Sequence, residues 1–587
     1  MPLDPSDSLT QRATTWMRED PDEVTRAELH TLIEQGDRAA LEDRFLAKLE
    51  FGTAGLRGVL GAGPNRMNRA VVLRTTAGLC HYLTAHVPDA AQRGVVIGYD
   101  GRRMSREFAE DVAAVCAGLG LRALLFRELG PTPLVAFAVT DLGAAAGVMV
   151  TASHNPPEYN GYKVYWGDGA QIIPPHDTGI AAAIDAIGPL ITVARPILKE
   201  ARAKGLVLDV PEEVEGRYLD ALAGLSRNPG VGRSLRIAYT PLHGVGAKLT
   251  EMILKRFGFD AVFTAPEQRE PDGAFPTVSF PNPEEKGAMD LVLALADRER
   301  ADLVLANDPD ADRLAVAARN AEGVWQQLTG NEVGALFAHY LLVDCAPRAA
   351  AQVAITSIVS SPLLGALCES LGVRYEEVLT GFKWIAARAI ELAESEGLSF
   401  VFGYEEALGY TVDSVVRDKD GVGAAAVFAE LAGYYHAKHG RTLWQQLDEV
   451  YRRTGVFVSG QHNVTLKGLD GAEQIRVIMQ RFRASPPSHI GALRVLSVSD
   501  LQAQTRTRDG NVEALTLPTS NVIAYGLEGG SRVTLRPSGT EPKIKYYFDV
   551  RELVGTGEPV GDARDRAKKT LAQLSEDFVA LAKRISP

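Results

Sequence analysis

Short apolar runs alternate along most of the chain with longer segments whose apolar residues recur every three or four positions. The short runs are typical of buried strands, and the longer segments are typical of helices that bury one face. Before residue 50 only the helical spacing occurs, and it predicts helices over 25–34 and 39–49. The chain therefore begins with a helical leader.

From about residue 94 to residue 402 the pattern repeats as strand, then helix, in three successive units. Such alternation predicts mostly parallel sheets with helices on both faces. The breaks between units are expected near 205–212 and 325–330. Strands are predicted at 94–100, 121–126, 235–240, 302–306, 353–356 and 400–402, and helices at 107–118, 245–257, 362–371 and 383–396.

After about residue 455 the alternation stops. Strand-like pieces at 456–459, 522–525, 531–535 and 543–550 follow one another without long helices between them, and a helix over 562–585 closes the chain. The predicted fold class is α/β, with three related α/β domains on mixed or parallel sheets and a smaller C-terminal α+β domain. The predicted domains are 1–210, 211–327, 328–454 and 455–587.

Bulk properties narrow the functional classes. At 587 residues the chain is too long for one core. Its net charge of −12 argues against nonspecific binding to nucleic acid or to a membrane surface. An N-terminal apolar signal segment is absent, as is any run of eighteen apolar residues, and the four cysteines form no C-x-x-C pair. We therefore expect a cytoplasmic protein with free thiols.

The stretch from 147 to 165 carries the first chemical signal. It places Ser153 at the end of an apolar strand, in a loop made irregular by two prolines, with Lys163 ten residues on. Taken alone, the loop is also consistent with an ordinary turn. A Ser–His hydrolase fits poorly because no G-x-S-x-G motif is present. In an extended chain, neighbouring residues point to opposite faces, so His154 is expected to point away from Ser153.

A second loop, Asn307-Asp-Pro-Asp-Ala-Asp-Arg313, follows another predicted strand. Its alternating carboxylates suit a hard divalent cation, although a solvated acidic turn is the alternative reading. An EF-hand is excluded because Arg313 and Arg319 stand where Gly and Glu are required. A Mg²⁺ site completed by a phosphate oxygen and water fits best.

Two further loops suggest a phosphorylated sugar. Glu405 and Glu406, in 402–410, can accept hydrogen bonds from vicinal hydroxyls, although a surface acidic turn fits equally well. Arg536 and Lys543 flank Pro-Ser-Gly-Thr-Glu-Pro, which suits a phosphate group as well as an ordinary hairpin end. Together the four loops imply phosphoryl transfer on a sugar phosphate.

These loops resemble the four signature loops of the α-D-phosphohexomutases. The resemblance spans roughly residues 45 to 550. The helical leader with Trp16 and the form Gly403-Tyr-Glu-Glu-Ala407 are similar to the longer branch of that family, which includes phosphoglucomutases and phosphopentomutases. The matching motifs are Thr151-Ala-Ser-His-Asn-Pro156, Asp308-Pro-Asp-Ala-Asp-Arg313, Gly403-Tyr-Glu-Glu-Ala407 and Arg536-Pro-Ser-Gly-Thr-Glu-Pro542, and Phe51-Gly-Thr-Ala-Gly-Leu-Arg-Gly58 resembles the N-terminal signature.

The resemblance implies four domains around a central cleft and a serine, Ser153, that is phosphorylated in the active enzyme. A phosphoryl oxygen on Ser153 would bind Mg²⁺ together with Asp308, Asp310 and Asp312. A sugar 1,6-bisphosphate would be the intermediate and activator. Arg57 would neutralise charge, His154 would position the phosphoserine, and Lys163 and Lys419 would transfer protons, since a lysine among cations can have a lowered pKa. The remaining matched positions, expected to contact substrate, are Arg313, Thr380, Gly381, Lys383, Glu405, Ala407, Arg536, Ser538, Gly539, Thr540 and Lys543.

One position departs from the family pattern. Hexose enzymes usually carry Ser where this chain has Ala407, so one hydroxyl contact to a hexose is missing. The leading prediction is interconversion of glucose 1-phosphate and glucose 6-phosphate. Phosphomannomutase, phosphopentomutase and bisphosphate synthase activities stay open on the same machinery, as does a catalytically silent sugar-phosphate-binding relative. The sequence does not indicate an oligomeric state.

Overall fold

The structure is a computed structural model that describes residues 8–50, 55–345, 347, 349, 351–466, 469–538 and 543–585. The described chain divides into two compact units. One comprises 1–328 with 408–438, and the other comprises 329–407 with 439–587. Each unit contains strands and buried side chains, and each carries part of the predicted chemistry.

The helical leader is present. Its helices are Ser8–Glu19, Glu23–Gln35 and Arg38–Phe45. Asp22 and Asp37 cap the second and third of these, each accepting a hydrogen bond from a backbone amide of the first turn. Leu29 and Phe45 are buried in one apolar cluster against Ala62, which anchors the leader to the chain that follows.

The first sheet holds the strand that leads to Ser153. Its strands lie in the order Leu56–Val59, Tyr159–Trp166, Ala146–Val150, Val95–Tyr99, Ala123–Leu125 and Val207–Asp209. The last four run parallel to one another, and Tyr159–Trp166 pairs antiparallel with the strand on each side of it. The helices of this region are Arg69–His86, Ala90–Arg93, Ser105–Gly118, Thr132–Asp141, His176–Asp185 and Leu198–Ala203.

The second sheet holds the strand that leads to the acidic loop. Its strands lie in the order Trp325–Gln327, Ala315–Arg319, Leu303–Ala306, Ile237–Thr240 and Val262–Thr264, with the last three parallel. The helices of this region are Glu213–Ala223, Ala247–Arg256 and Asp290–Arg298. Strand Gly409–Val412 and helix Gly421–His439 complete the first unit.

The second unit begins with another α/β arrangement. Strand Gln352–Ser357 pairs in parallel with Arg374–Val378 on one side and with Ser399–Glu405 on the other. The helices are Gly330–His339, Leu363–Leu371, Phe382–Glu396 and Leu443–Thr454. The first and the last of these begin with capping boxes at Thr329 and Thr442, which fix where the helices start.

The C-terminal region is built on an antiparallel sheet. Its strands lie in the order Val456–Thr465, Lys543–Glu552, Arg532–Pro537, Ile523–Leu527, Leu493–Asp500, Thr505–Arg508 and Asn511–Ala514. The prediction that no long helix interrupts these strands is wrong, because helix Leu469–Ala484 lies between the first and the next. Helix Val560–Ile585 closes the described chain as predicted.

The predicted fold class is confirmed: three α/β/α domains with mixed sheets precede a C-terminal domain with an antiparallel sheet. The exact domain boundaries and the central cleft stay predictions. Among the helices of the described ranges, none is both long enough and apolar enough to cross a membrane.

Candidate active site

Ser153 lies just beyond strand Ala146–Val150, in a tight turn. Its backbone amide donates to the Thr151 hydroxyl at 2.9 Å, and its own φ is +51°, in the left-handed region that costs a side-chain-bearing residue roughly 1 kcal/mol. This turn directs the serine Oγ to Asp308, whose Oδ2 accepts its hydrogen bond at 2.8 Å. The serine is buried and already sits on the acidic loop.

The expectation that His154 points away from Ser153 is wrong. The two side chains lie together, with His154 Nδ1 3.1 Å from Ser153 Oγ. The reason is the left-handed backbone at Ser153, which ends the alternation of an extended chain. Burial, assisted by Arg313 and Arg57, holds the pKa of His154 well below its ordinary value. The imidazole is therefore neutral beside the serine, which suits the predicted positioning role.

The acidic loop begins directly after strand Leu303–Ala306. Its first residue, Asn307, ties the loop closed: the side-chain amide donates to the Arg313 carbonyl at 2.6 Å, and its oxygen accepts from Tyr239 at 2.8 Å. Within this closed loop, the three aspartates are buried and have carboxylate oxygens within 4.8 Å of one another. They are Asp308, Asp310 and Asp312. The loop therefore gathers three carboxylates at one point.

Burial and mutual repulsion act on the carboxylates of this cluster, and two of their oxygens lack a hydrogen bond. Burial, with repulsion from the other two aspartates, raises the pKa of Asp308 well above its ordinary value. Burial also acts on Asp310, but Lys163 outweighs it and lowers the pKa of that carboxyl. Within the described chain, Oδ1 of Asp310 and Oδ1 of Asp312 accept no hydrogen bond although both are buried. Orphaned hard oxygens in a clustered set fit a divalent cation.

Lys163 is the closest cation to the cluster. Its Nζ lies 2.8 Å from Oδ2 of Asp310 and 2.8 Å from Oδ2 of Asp312. Burial alone would lower its pKa, but the two carboxylates outweigh burial and hold the pKa above the ordinary value. The expectation of a lowered pKa is therefore wrong for Lys163. Here the lysine serves as a fixed positive charge.

Lys419 approaches the same cluster from the segment 408–438. Its Nζ lies 3.4 Å from Asp312 Oδ2 and 3.3 Å from Asp418 Oδ1. Asp418 is itself held by Tyr165 and Gln171, which donate to its Oδ2 at 3.0 and 2.7 Å. The lysine stem lies against Gly409, where an added Cβ would fall 2.3 Å from Lys419 Cδ.

Two arginines complete the positive charge. Arg313 Nε lies 3.9 Å from an oxygen of Asp308 and 3.9 Å from one of Asp312. Arg57 donates to Asn155 Oδ1 at 2.7 Å, and burial lowers its pKa to about 10. The structure thus brings together every described residue of the predicted catalytic and metal sets, namely Ser153, His154, Lys163, Arg57, Lys419, Asp308, Asp310 and Asp312, with Arg313 beside them.

The predicted sugar-reading residues lie in the second unit. Glu405 accepts a hydrogen bond from the Gly381 amide at 2.7 Å, which joins the 402–410 loop to the Thr380–Lys383 segment. Glu406 accepts from the hydroxyls of Ser357 and Ser360 at 3.4 and 3.2 Å, so these serines already engage it. Thr380 Oγ1 is buried and neither accepts nor donates a hydrogen bond within the described chain. Lys383 is buried, and Ala407 is half-buried.

The predicted phosphate loop is described in part. Arg536 is the penultimate residue of strand Arg532–Pro537 and interacts with the Tyr547 hydroxyl. The Ser538 backbone amide donates to the Lys543 carbonyl at 2.7 Å. The negative charges of Glu406 and Glu405, after burial, help to raise the pKa of Tyr547. Gly539 and Thr540 lie outside the described residues, as do Phe51 to Ala54 of the N-terminal signature.

Sequence reasoning missed two residues that support this site. Thr132 donates its hydroxyl to Asp310 Oδ2 at 2.6 Å and its amide to the Asp310 carbonyl at 2.9 Å. Arg102 donates to backbone carbonyls of the serine loop. Arg102 follows strand Val95–Tyr99, the parallel neighbour of the strand that leads to Ser153. Because carboxyl ends of adjacent parallel strands meet at one edge, its position after that strand was the available signal.

Comparison with known proteins places the sequence among sugar-phosphate enzymes. It matches the α/β/α domains I, II and III of the phosphoglucomutase/phosphomannomutase family over residues 48–189, 216–323 and 329–454. A human protein named phosphopentomutase is 36% identical over 96% of this chain and 94% of its own length. A human protein named glucose 1,6-bisphosphate synthase is 37% identical over 97% of this chain and 94% of its own.

Solved structures show the same fold. The crystal structure of a phosphoglucomutase/phosphomannomutase family protein from Burkholderia thailandensis covers 90% of this chain and 96% of its own, with a TM-score of 0.63 and 19% identity. At that identity the likeness concerns architecture alone.

Proposed function

We propose that the chain, which belongs to the phosphoglucomutase/phosphomannomutase family of phosphotransferase enzymes, is a phosphosugar mutase with Ser153 as its phosphoryl carrier. One observation carries the proposal: Ser153 Oγ lies 2.8 Å from Asp308 Oδ2, on a buried cluster of three carboxylates. A hydroxyl that only binds sugar needs no such neighbours. A hydroxyl that exchanges a phosphoryl group does, because the transferred group carries charge that must be neutralised.

The chain's own cations supply part of that neutralisation. Lys163 is fixed between Asp310 and Asp312, and Arg57 and Arg313 lie around the serine and the acidic loop. Preorganised charges of this kind stabilise a transition state without having to reorganise as the reaction proceeds. His154, neutral beside Ser153, orients the serine oxygen.

Asp308, Asp310 and Asp312 are the residues that would hold a Mg²⁺ ion, together with an oxygen of the phosphorylated serine. When bound, Mg²⁺ would polarise the phosphoryl oxygens and offset their negative charge. The orphaned Oδ1 atoms of Asp310 and Asp312 support this assignment.

In the proposed reaction the bond between Ser153 Oγ and phosphorus breaks as a bond forms from phosphorus to a free hydroxyl of a sugar monophosphate. The product is a sugar bisphosphate. The proton of the attacking hydroxyl leaves to a base, and Ser153 Oγ takes up a proton as the phosphoryl group departs. The bisphosphate then returns its other phosphoryl group to Ser153, which regenerates the enzyme and releases the isomeric monophosphate. Lys163 and Lys419 are the amino groups beside Asp312, and the proton acceptor stays a prediction.

Glucose 1-phosphate and glucose 6-phosphate are the substrate pair that the motifs predict. A second pair, the 1- and 5-phosphates of a pentose, is favoured by a specific observation. Ala407 offers no hydroxyl where hexose enzymes of the family usually have one, and it stands beside Glu405, the predicted sugar reader. The 36% identity with a protein named phosphopentomutase is consistent with this pair, and the 37% identity with a protein named glucose 1,6-bisphosphate synthase is consistent with the glucose pair.

The test is a coupled assay over glucose, mannose, glucosamine and ribose 1-phosphates, each with Mg²⁺ and a trace of the matching bisphosphate. We expect turnover of glucose or ribose 1-phosphate, and the ratio of their kcat/KM values identifies the preferred sugar. Negligible rates on all four would refute the mutase proposal.

A Ser153→Ala variant distinguishes an enzyme from a sugar-phosphate-binding protein. The enzyme loses turnover while sugar-phosphate binding, measured by calorimetry, persists. Unchanged turnover would show that Ser153 is not the carrier.

A further inference from the structure

Arg102 is a buried arginine that the proposed chemistry does not use, and it lies directly behind the serine loop. Only 4% of its surface is exposed. One of its terminal nitrogens donates to the Ser153 carbonyl and to the Asn155 carbonyl, both at 2.5 Å. The other donates to the carbonyls of Pro156 and Tyr159 at 2.9 and 3.3 Å. One guanidinium thus binds four backbone carbonyls of this loop.

The arginine is itself held in place. Asp100 accepts the Arg102 backbone amide at 3.0 Å and the Ser105 hydroxyl at 2.6 Å, and its other oxygen lies 3.4 Å from Arg102 Nε. The Phe275 ring covers the guanidinium, with its centroid 4.9 Å away. Because the planar head is fixed on both sides, its donors point in set directions.

The loop needs such support. Ser153 has its φ at +51°, a conformation that persists only where the surroundings hold it. Arg102 donates a hydrogen bond to the Ser153 carbonyl, so it directly binds the residue whose backbone is strained. That same backbone directs Ser153 Oγ to Asp308 Oδ2.

We propose that Arg102 is a positioning residue: by binding the carbonyls of 153–159, it holds the strained serine turn so that Oγ stays aimed at the acidic loop. The proposal rests on the proposed function, because it assigns Arg102 to the carrier serine of that reaction. Arg102 acts through the loop backbone and touches neither the serine Oγ nor the carboxylates of the acidic loop.

Arg102→Lys is the informative variant. It keeps a positive charge, but an ammonium has three donors on a flexible stem and cannot reproduce a planar fork that binds four carbonyls. A misplacement of about 1 Å at a reacting atom can cost roughly 100-fold in rate. We therefore expect kcat to fall about 100-fold while KM changes by less than about threefold, because the sugar-reading residues are untouched.

Arg103→Lys is the matched control. Arg103 is the next residue, is exposed, and reaches the same loop only through a 3.4 Å contact to the Pro157 carbonyl. Its variant is expected to keep the wild-type kcat and KM. The far-ultraviolet spectrum and the thermal midpoint of each variant establish whether it is folded.

A second readout does not depend on catalysis. Hydrogen–deuterium exchange of the backbone amides in 151–159, followed by mass spectrometry, is expected to accelerate at least tenfold in Arg102→Lys and to stay unchanged in Arg103→Lys. Should Arg102→Lys fail to fold, Arg102→Gln, which keeps one planar head with two donors, replaces it in both measurements.

Wild-type kcat together with wild-type exchange in a folded Arg102 variant would overturn the inference. So would a KM increase with unchanged kcat, since that pattern places Arg102 in substrate binding. If the wild-type protein itself turns over none of the sugar phosphates, the proposed function fails, and the exchange experiment still decides whether Arg102 holds the loop.

Discussion

Asp420 ends the turn that carries Lys419, and its titration should govern part of the pH dependence of stability. It is buried, and its carboxylate accepts hydrogen bonds from the Val422 and Gly423 amides at 3.0 and 2.9 Å, at the start of helix Gly421–His439. The Tyr218 hydroxyl donates to it at 2.9 Å. Burial outweighs these donors and raises the pKa of Asp420 to about 6.

The sign of the effect follows from that direction. A carboxyl whose pKa is raised on folding favours the folded state when protonated, so its contribution is fully present below the unfolded pKa of 3.8 and is lost as the pH rises through about 6. A shift of this size corresponds to roughly 3 kcal/mol in the free energy of unfolding, and about half of that change falls above pH 5.

Asp420→Asn removes the titration while its amide oxygen can still accept the same donors. The buried amide nitrogen adds a cost of about 1–3 kcal/mol, but that cost does not vary with pH. In denaturant titrations at pH 5, 6, 7 and 8, the stability of the variant relative to wild type should therefore rise by more than about 1 kcal/mol across the series. Asp260→Asn, at an exposed carboxylate, is the control.

A flat difference for Asp420→Asn as well would refute the reasoning, because it would mean that folding does not raise the pKa of Asp420 into this pH range.

Two further predictions concern the metal and the sugar. Mg²⁺ at about 100 times its Kd should stabilise the wild-type protein by roughly 2.7 kcal/mol, which calorimetry records as a raised unfolding midpoint. Asp312→Asn should lose most of that shift, while Asp260→Asn should keep it. Equal shifts in all three proteins would exclude the acidic loop as the site. Ala407→Ser should raise kcat/KM for glucose 1-phosphate relative to ribose 1-phosphate about tenfold, because one added hydrogen bond contributes about 1.4 kcal/mol. An unchanged ratio would show that residue 407 does not contact the sugar.

Much of the fold follows from local pattern. The predicted strand at 94–100 appears as Val95–Tyr99 and the predicted helix at 107–118 as Ser105–Gly118, because apolar spacing and turn residues act over a few positions. The missed helix Leu469–Ala484 shows the limit. Its sequence carries five charged side chains, and a helix with a narrow apolar stripe gives a weak signal.

The site could be predicted where the residues themselves carry the chemistry. Asp308, Asp310 and Asp312 stand out in sequence because clustered carboxylates need a cation. Arg102 and Thr132 could not be assigned in the same way, because their roles depend on backbone carbonyls and on a carboxylate that are distant in sequence. The expected orientation of the His154 side chain is wrong for a related reason. Ser153 has a left-handed backbone, which ends the alternation of side chains along the extended chain.

The central claim is that Ser153 carries a phosphoryl group between two positions of a sugar. The most direct measurement is intact-protein and peptide mass spectrometry after incubation with glucose 1,6-bisphosphate and Mg²⁺, followed by addition of a sugar 1-phosphate. We expect one phosphoryl group, located on Ser153, that disappears on addition of the sugar 1-phosphate as the corresponding bisphosphate forms. A protein that acquires no phosphoryl group on Ser153, or that holds one it cannot transfer, would contradict the account.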